Sequence, residues 1–148
     1  MQLSVAGRQA LAEFVGTAML VAVVVGSGIA AERMSPSDVG LQLFENAAAT
    51  AAGLVAIILA LGSVSGAHLN PLVSVADRVF GGITTRQLAF YVPSQFAGGA
   101  LGAVAGNLMF SEPAVELSSK ARDGGGLWLA EAIATGGLLL VIFGISRT

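Results

Sequence analysis

Phe14 to Ala31 runs for 18 residues without a charged side chain. With the turn from Gln9 onward, a helix here is long enough to cross a hydrocarbon core of about 30 Å at about 1.5 Å per residue. Leu41 to Leu61, Leu88 to Phe110 and Leu127 to Ser146 are similarly apolar, with Glu45 and Glu131 as their only charged residues. Composition agrees: 11% of residues are charged, against about 25% in soluble domains, and mean hydropathy is +0.82. The loops between the runs are short and polar: Glu32 to Gly40, with Pro36 and Asp38, and Ser111 to Gly126, with Glu112, Glu116, Lys120, Arg122 and Asp123. The first run is too long for a cleaved signal peptide and further spans follow it. The expectation is an all-α integral membrane protein, one membrane domain over residues 1–148, with four transmembrane helices in a lipid bilayer.

One segment does not fit a simple four-span bundle. Ser65-Gly66-Ala67-His68-Leu69-Asn70-Pro71-Leu72-Val73 follows directly on the second span. Asn70 is a natural N-cap and Pro71 suits the first helical position. Asn70 to Phe80 gives about 11 helical residues, roughly 16 Å, before Gly81-Gly82 stops it. That is half a bilayer. The plain alternative is a surface loop and a capped cytoplasmic helix. The apolar residues Leu72, Val73, Val75, Val79 and Phe80 favour a re-entrant half-helix instead. Such a helix is tolerable in lipid only if its free N–H groups line a wetted cavity. Its tip would carry partial positive charge, and the Asn70 amide would add a donor. The backbone carbonyls of Gly66, Ala67 and His68 would add acceptors. Donors at one point and acceptors before it describe a single-file path for a small neutral solute, with the dipole opposing cations.

The chain also resembles itself. Ala12-Glu13-Phe14-Val15-Gly16-Thr17 and Ala130-Glu131-Ala132-Ile133-Ala134-Thr135 share Ala, Glu and Thr in register. Three intervening spans would invert the second copy, as in transport folds built from inverted repeats. The first repeat covers about residues 9–110 and the second begins at 127–146. The second holds one span before the sequence stops at Thr148, so the repeat is incomplete and the polypeptide is expected to be truncated. Arg8, Arg78, Arg86 and Arg147 fall on one side; Arg33, Lys120 and Arg122 fall opposite. The positive-inside rule then places the N-terminus in the cytoplasm by four to three.

No catalytic set is evident: there is no activated nucleophile, no facing carboxylate pair and no phosphate loop, so no enzyme is expected. A net charge of -2 gives no nucleic-acid footprint. With no cysteine and His68 as the single histidine, neither a metal site nor a cofactor is expected. Gly98, Gly102 and Gly106 form overlapping GxxxG patterns for close helix packing. Trp128 reads as an interface anchor. Asp77 and Arg78 are expected near the cytoplasmic surface.

Taken in order, Ala12 to Thr17, Ser65 to Pro71 and Tyr91 to Gly99 with Gln95 resemble the first helix, the first signature loop and the third helix of the aquaporin and aquaglyceroporin family, the major intrinsic proteins. The resemblance implies an aquaporin-like fold with one re-entrant half-helix present. It implies a homo-tetramer of independent pores for water, glycerol or metalloid hydroxides, in a bacterial inner membrane. Asn70, Pro71, Leu72, Gly66, Ala67 and His68 become pore-lining, with Leu72 where the family usually has alanine. Thr50, 20 residues before Asn70, falls on a selectivity position, where threonine leaves a wide polar mouth. The alternative for Thr50 is a bond to its own helix carbonyl. Glu13 and Glu131 are implied to hold re-entrant loops; the alternative is a proton carrier in a broken-helix secondary transporter. A non-conducting truncated product, or a packing partner, is the third possibility. The 148-residue chain alone is expected not to raise the osmotic permeability of vesicles.

Overall fold

The computed structural model describes residues 3–116, 118 and 121–145. They fall into two compact units, one ending at Glu116 and the other beginning beyond it. The first unit holds α1 (Val5–Met34), α2 (Val39–Ser65), α3 (Pro71–Val79) and α4 (Thr85–Met109); the second holds α5 (Gly125–Ile145). All the described regular structure is helical, and α1, α2, α4 and α5 are each long and apolar enough to cross a membrane.

The helices start and stop for local reasons. Ser4 caps α1 by accepting from the Gly7 N–H at 3.1 Å. The loop expected over Glu32 to Gly40 is shorter than its composition suggests. α1 continues through Met34, and Asp38 caps α2 by accepting from Leu41 N–H at 2.9 Å. α2 also overruns its expected end at Leu61. Ser63 to Ser65 stay helical until Gly66, in the left-handed region, closes the helix with its N–H on the Gly62 carbonyl. α4 starts at Thr85 rather than Leu88 because Thr84 and Gln87 form a reciprocal capping box. Pro93 lies within α4 without ending it. α5 begins two residues before the expected Leu127; Ser146, Lys120 and Arg147 lie outside the described residues.

α1 and α4 run side by side in the same direction. The buried residues of α4 are Tyr91, Gln95, Gly98, Gly102 and Gly106, spaced by three or four, so they form one stripe. A methyl group at Gly98 would collide with the Phe14 carbonyl oxygen, and one at Gly102 with the Ala18 carbonyl oxygen. The two backbones are therefore almost in contact, as small residues permit between membrane helices. α2 packs antiparallel on the adjacent face of α1, with Ile57 and Leu61 against Gly16 and Val23 against Gly53. At the far end Arg33 closes the α1–α4 seam. It donates to the Phe110 carbonyl at 2.7 Å and to Glu112 at 2.6 Å.

Candidate functional site

α3 is held by one buried carboxylate. Glu13 is fully buried on α1. Its Oε1 accepts from Ser65 Oγ at 2.6 Å and from the His68 N–H at 3.0 Å. Its Oε2 accepts from the Leu69 N–H at 2.8 Å and from Gln95 Nε2 at 2.7 Å. Four donors on one carboxylate offset the cost of removing its charge from water.

These bonds set the unusual backbone between α2 and α3. Ala67 and Leu69 have φ of 49° and 52°, a left-handed conformation costing a non-glycine residue about 1 to 3 kcal/mol. The strain persists because the loop is fixed at several points. Ser65 Oγ also accepts from the Ala67 N–H at 3.1 Å, and Tyr91 Oη donates to the Ser65 carbonyl at 2.8 Å. The Leu69 side chain drops into a pocket with Ile57, Leu54 and Leu61, over Gly16, where no larger residue would fit. Glu13 and Gly16 are three residues apart on one helix face, so α1 provides both the acceptor and the space.

The start of α3 is as expected. Asn70 Oδ1 accepts from the Leu72 N–H at 2.8 Å, which leaves the Asn70 amide hydrogens as free-facing donors. Pro71 occupies the first helical position. Val73 and Ser74 are buried; Leu72, Val75 and Val79 form an exposed apolar stripe. Gly66 is exposed, Ala67 is buried, and His68, Asn70 and Pro71 are partly buried.

A second set of contacts joins α3 to α4. Ser74 Oγ accepts from Gln95 Nε2 at 2.9 Å, sits 3.0 Å from His68 Nδ1, and donates to the Asn70 carbonyl at 3.3 Å. Asp77 turns back toward the loop, with Oδ2 3.5 Å from His68 Nε2 and its side chain mostly enclosed. The His68 ring meets Tyr91 edge-on at 5.4 Å. Arg78 stays exposed and donates to Thr85 Oγ1 at 2.9 Å.

Helix register gives the depth of this assembly. Glu13 lies eight residues into α1 and Gln95 ten residues into α4. At about 1.5 Å per residue, the α3 tip is held roughly 12 to 15 Å in from the ends of those helices.

Ser65, Ser74 and Asp77 were not singled out from sequence as parts of the site, and Tyr91 and Gln95 had no role beyond the helix motif. One signal was available: Gln95 is a polar residue inside a stripe of glycines. Thr50, partly buried on α2, has an enclosed Oγ1 with no hydrogen-bond partner, so the bond to its own helix carbonyl is not made. Glu131 lies exposed on α5, lining a cavity with Arg122 and Trp128.

Apolar spans around a half-length helix, tied by its entry loop to a buried carboxylate, define an integral membrane protein built on a re-entrant helix. The chain belongs to the major intrinsic protein family, whose pattern it matches over residues 2–148. It is 44% identical over 135 residues to aquaglyceroporin AqpS of Rhizobium meliloti (strain 1021), covering 91% of this chain and 58% of that protein. It is 38% identical over 109 residues to the glycerol uptake facilitator protein of Pseudomonas aeruginosa, covering 73% and 38%. It is 37% identical over 102 residues to the probable aquaporin NIP7-1 of Arabidopsis thaliana, covering 69% and 34%. The chain thus spans between about a third and three fifths of the length of these relatives. No solved structure is significantly similar to it.

Proposed function

We propose that this chain forms part of a passive membrane channel for small neutral solutes, with the tip of α3 facing the solute. The observation that carries this reading is the depth of that tip. A capped helix start, roughly 12 to 15 Å inside the spans, has the Val73 N–H and the Asn70 amide where lipid cannot satisfy them. Water or a passing solute can. Asn70 is the donor, Pro71 and Leu72 shape the narrowest point, and the Gly66, Ala67 and His68 carbonyls form the approach. Thr50 faces the solute nearer the opposite membrane surface.

Glycerol-sized solutes are favoured over water alone. The names of the rhizobial and pseudomonad relatives refer to glycerol, and both come from bacteria, which supports a bacterial inner membrane. Threonine at position 50 leaves more room than an aromatic residue would. Glu13 acts as a structural anchor; a carboxylate already holding four donors is a poor proton carrier. Glu131 takes the corresponding part in the second repeat. The N-terminus is cytoplasmic, and the assembly is a homo-tetramer of separate pores.

The absence of cysteine makes the test direct. Asn70→Cys in the 148-residue chain, reconstituted in lipid vesicles, is expected to react with membrane-impermeant thiol reagents. A lipid-depth quencher should place a label there deep in the bilayer. Reaction with a label at the bilayer surface, or no reaction from water at all, would overturn the reading.

A further inference from the structure

The α1–α4 seam carries a groove that the anchoring of α3 does not use. It is a cavity of about 510 Å³, lined chiefly by Gly7, Ala10 and Phe14 of α1 and by Pro93, Ser94 and Ala97 of α4. Its origin is local. Gly7 and Ala10 share one face of α1, and Pro93 and Ala97 share one face of α4. Small side chains at those places leave a trough between larger neighbours. Ser94 is the one polar side chain in its lining.

The trough is positive at one end. Arg86, Phe90, Pro93 and Ala97 follow one another at spacings of four, three and four, so one stripe of α4 runs from the guanidinium into the groove. Arg86 lies over the Phe90 ring, its Cζ 6.0 Å from the centroid, and both side chains are exposed. Arg33 is paired with Glu112; among the described residues Arg86 has no such carboxylate. Its N–H donors are therefore open to an anion, and a guanidinium meets phosphate oxygens two at a time. Gln87 Nε2 donates to Gln9 Oε1 at 3.4 Å, which brings the starts of α1 and α4 to within a turn of one level. The N-terminal ends of two parallel helices, with the exposed Arg8, add positive charge there.

Length selects the occupant. Arg86 to Ala97 is eleven residues, about 16 Å of helix. One leaflet of a hydrocarbon core of about 30 Å is about 15 Å deep. A helix of a second copy, about 10 to 12 Å across, fills roughly three times the groove's volume over that length. An acyl chain is thin enough. We infer that this groove binds one anionic phospholipid, its acyl chain against Gly7, Ala10, Pro93 and Ala97 and its phosphate on Arg86. Such a site requires only that α1 and α4 span a bilayer, and it is independent of what passes along α3.

Native mass spectrometry of the 148-residue chain in detergent, titrated with dioleoyl phosphatidylglycerol or dioleoyl phosphatidylcholine, gives the number of lipids bound and a Kd for each. One phosphatidylglycerol is expected to bind about 5-fold tighter than phosphatidylcholine, the worth of one arginine beside an anionic headgroup. Arg86→Gln should bring the two lipids level, whereas Arg122→Gln, outside the groove, should change neither. Ala97→Trp fills the deep end of the trough and should weaken both. Equal binding of the two lipids to the unaltered chain, or a preference that survives Arg86→Gln, would overturn the site. So would binding untouched by Ala97→Trp, since the acyl chain would then lie elsewhere. Glycerol phosphate, which has no acyl chain, is expected not to displace the lipid; displacement would leave a surface anion contact and no lipid groove. Loss of a dimer rather than of a lipid in Ala97→Trp would give the groove to a second copy and overturn the inference.

Discussion

Glu13 and Gln95, 82 residues apart in sequence, meet at 2.7 Å in the buried centre of the helix bundle. Gln95 Nε2 reaches both the Glu13 carboxylate and Ser74 Oγ, so one amide links α1, α3 and α4.

Glu13→Gln should therefore be costly despite its near-identical shape. A carboxamide brings an NH2 group against N–H and O–H donors, and two of the four bonds lose their acceptor. At about 1 to 3 kcal/mol for each buried group left unpaired, the expected loss is about 2 to 6 kcal/mol. Thermal unfolding in detergent measures it. A Tm equal to that of the unaltered chain would show that the carboxylate is not the anchor.

Asn70→Asp and Asn70→Ala should separate the capping oxygen from the amide group. Aspartate keeps the oxygen that accepts from Leu72, so unfolding should change little; alanine loses the cap, at about 1 kcal/mol. The expected pattern in denaturant titration is near-normal stability for aspartate and reduced stability for alanine. An equal loss in both would show that the capping oxygen is not what fixes the start of α3.

Gly98→Val should force α1 and α4 apart, since even a methyl meets the Phe14 carbonyl oxygen. Overpacking at a close seam costs about 1 to 3 kcal/mol. Gly62→Val on α2, where an added methyl would have Ile58 of its own helix at 4.0 Å, should be nearly neutral. Parallel unfolding of the two variants tests the contrast.

Glu112→Gln removes the charge that Arg33 meets at 2.6 Å, yet both side chains are substantially exposed. Exposed pairs are worth about 0 to 1 kcal/mol. Arg33 also keeps its bond to the Phe110 carbonyl. The expected change in Tm is small and shrinks further in high salt. A large loss would mean that the pair secures the α1–α4 end.

The spans, the half-helix and its first residue were legible in the sequence because each depends on local chemistry. A charge-free run of bilayer length has few alternatives to a membrane helix, and Asn-Pro after such a run starts a new helix wherever it lies. Helix ends were less legible. α1 and α2 run past their expected limits because Ser35 and Gly66 close them, and Asp38 starts α2, by geometry that hydropathy does not register. The contact of Asp77 with His68 was not legible either, because it depends on the loop before α3 folding back beside that helix.

By itself the sequence determined that this protein is built for a bilayer and that a helix half a membrane long opens at Asn70; the structural role of Glu13 was implied only by the family resemblance, beside the proton-carrier alternative. The first two conclusions follow from transfer energies and capping preferences, which act within a few residues. Only the tertiary structure decided which side chains answer Glu13, that Ser74 and Gln95 complete its network, and that the Asn46 amide donates across to the Val24 carbonyl of α1. Such pairings join residues tens of positions apart, and they exist only once close-packed glycines have brought α1 and α4 nearly into backbone contact.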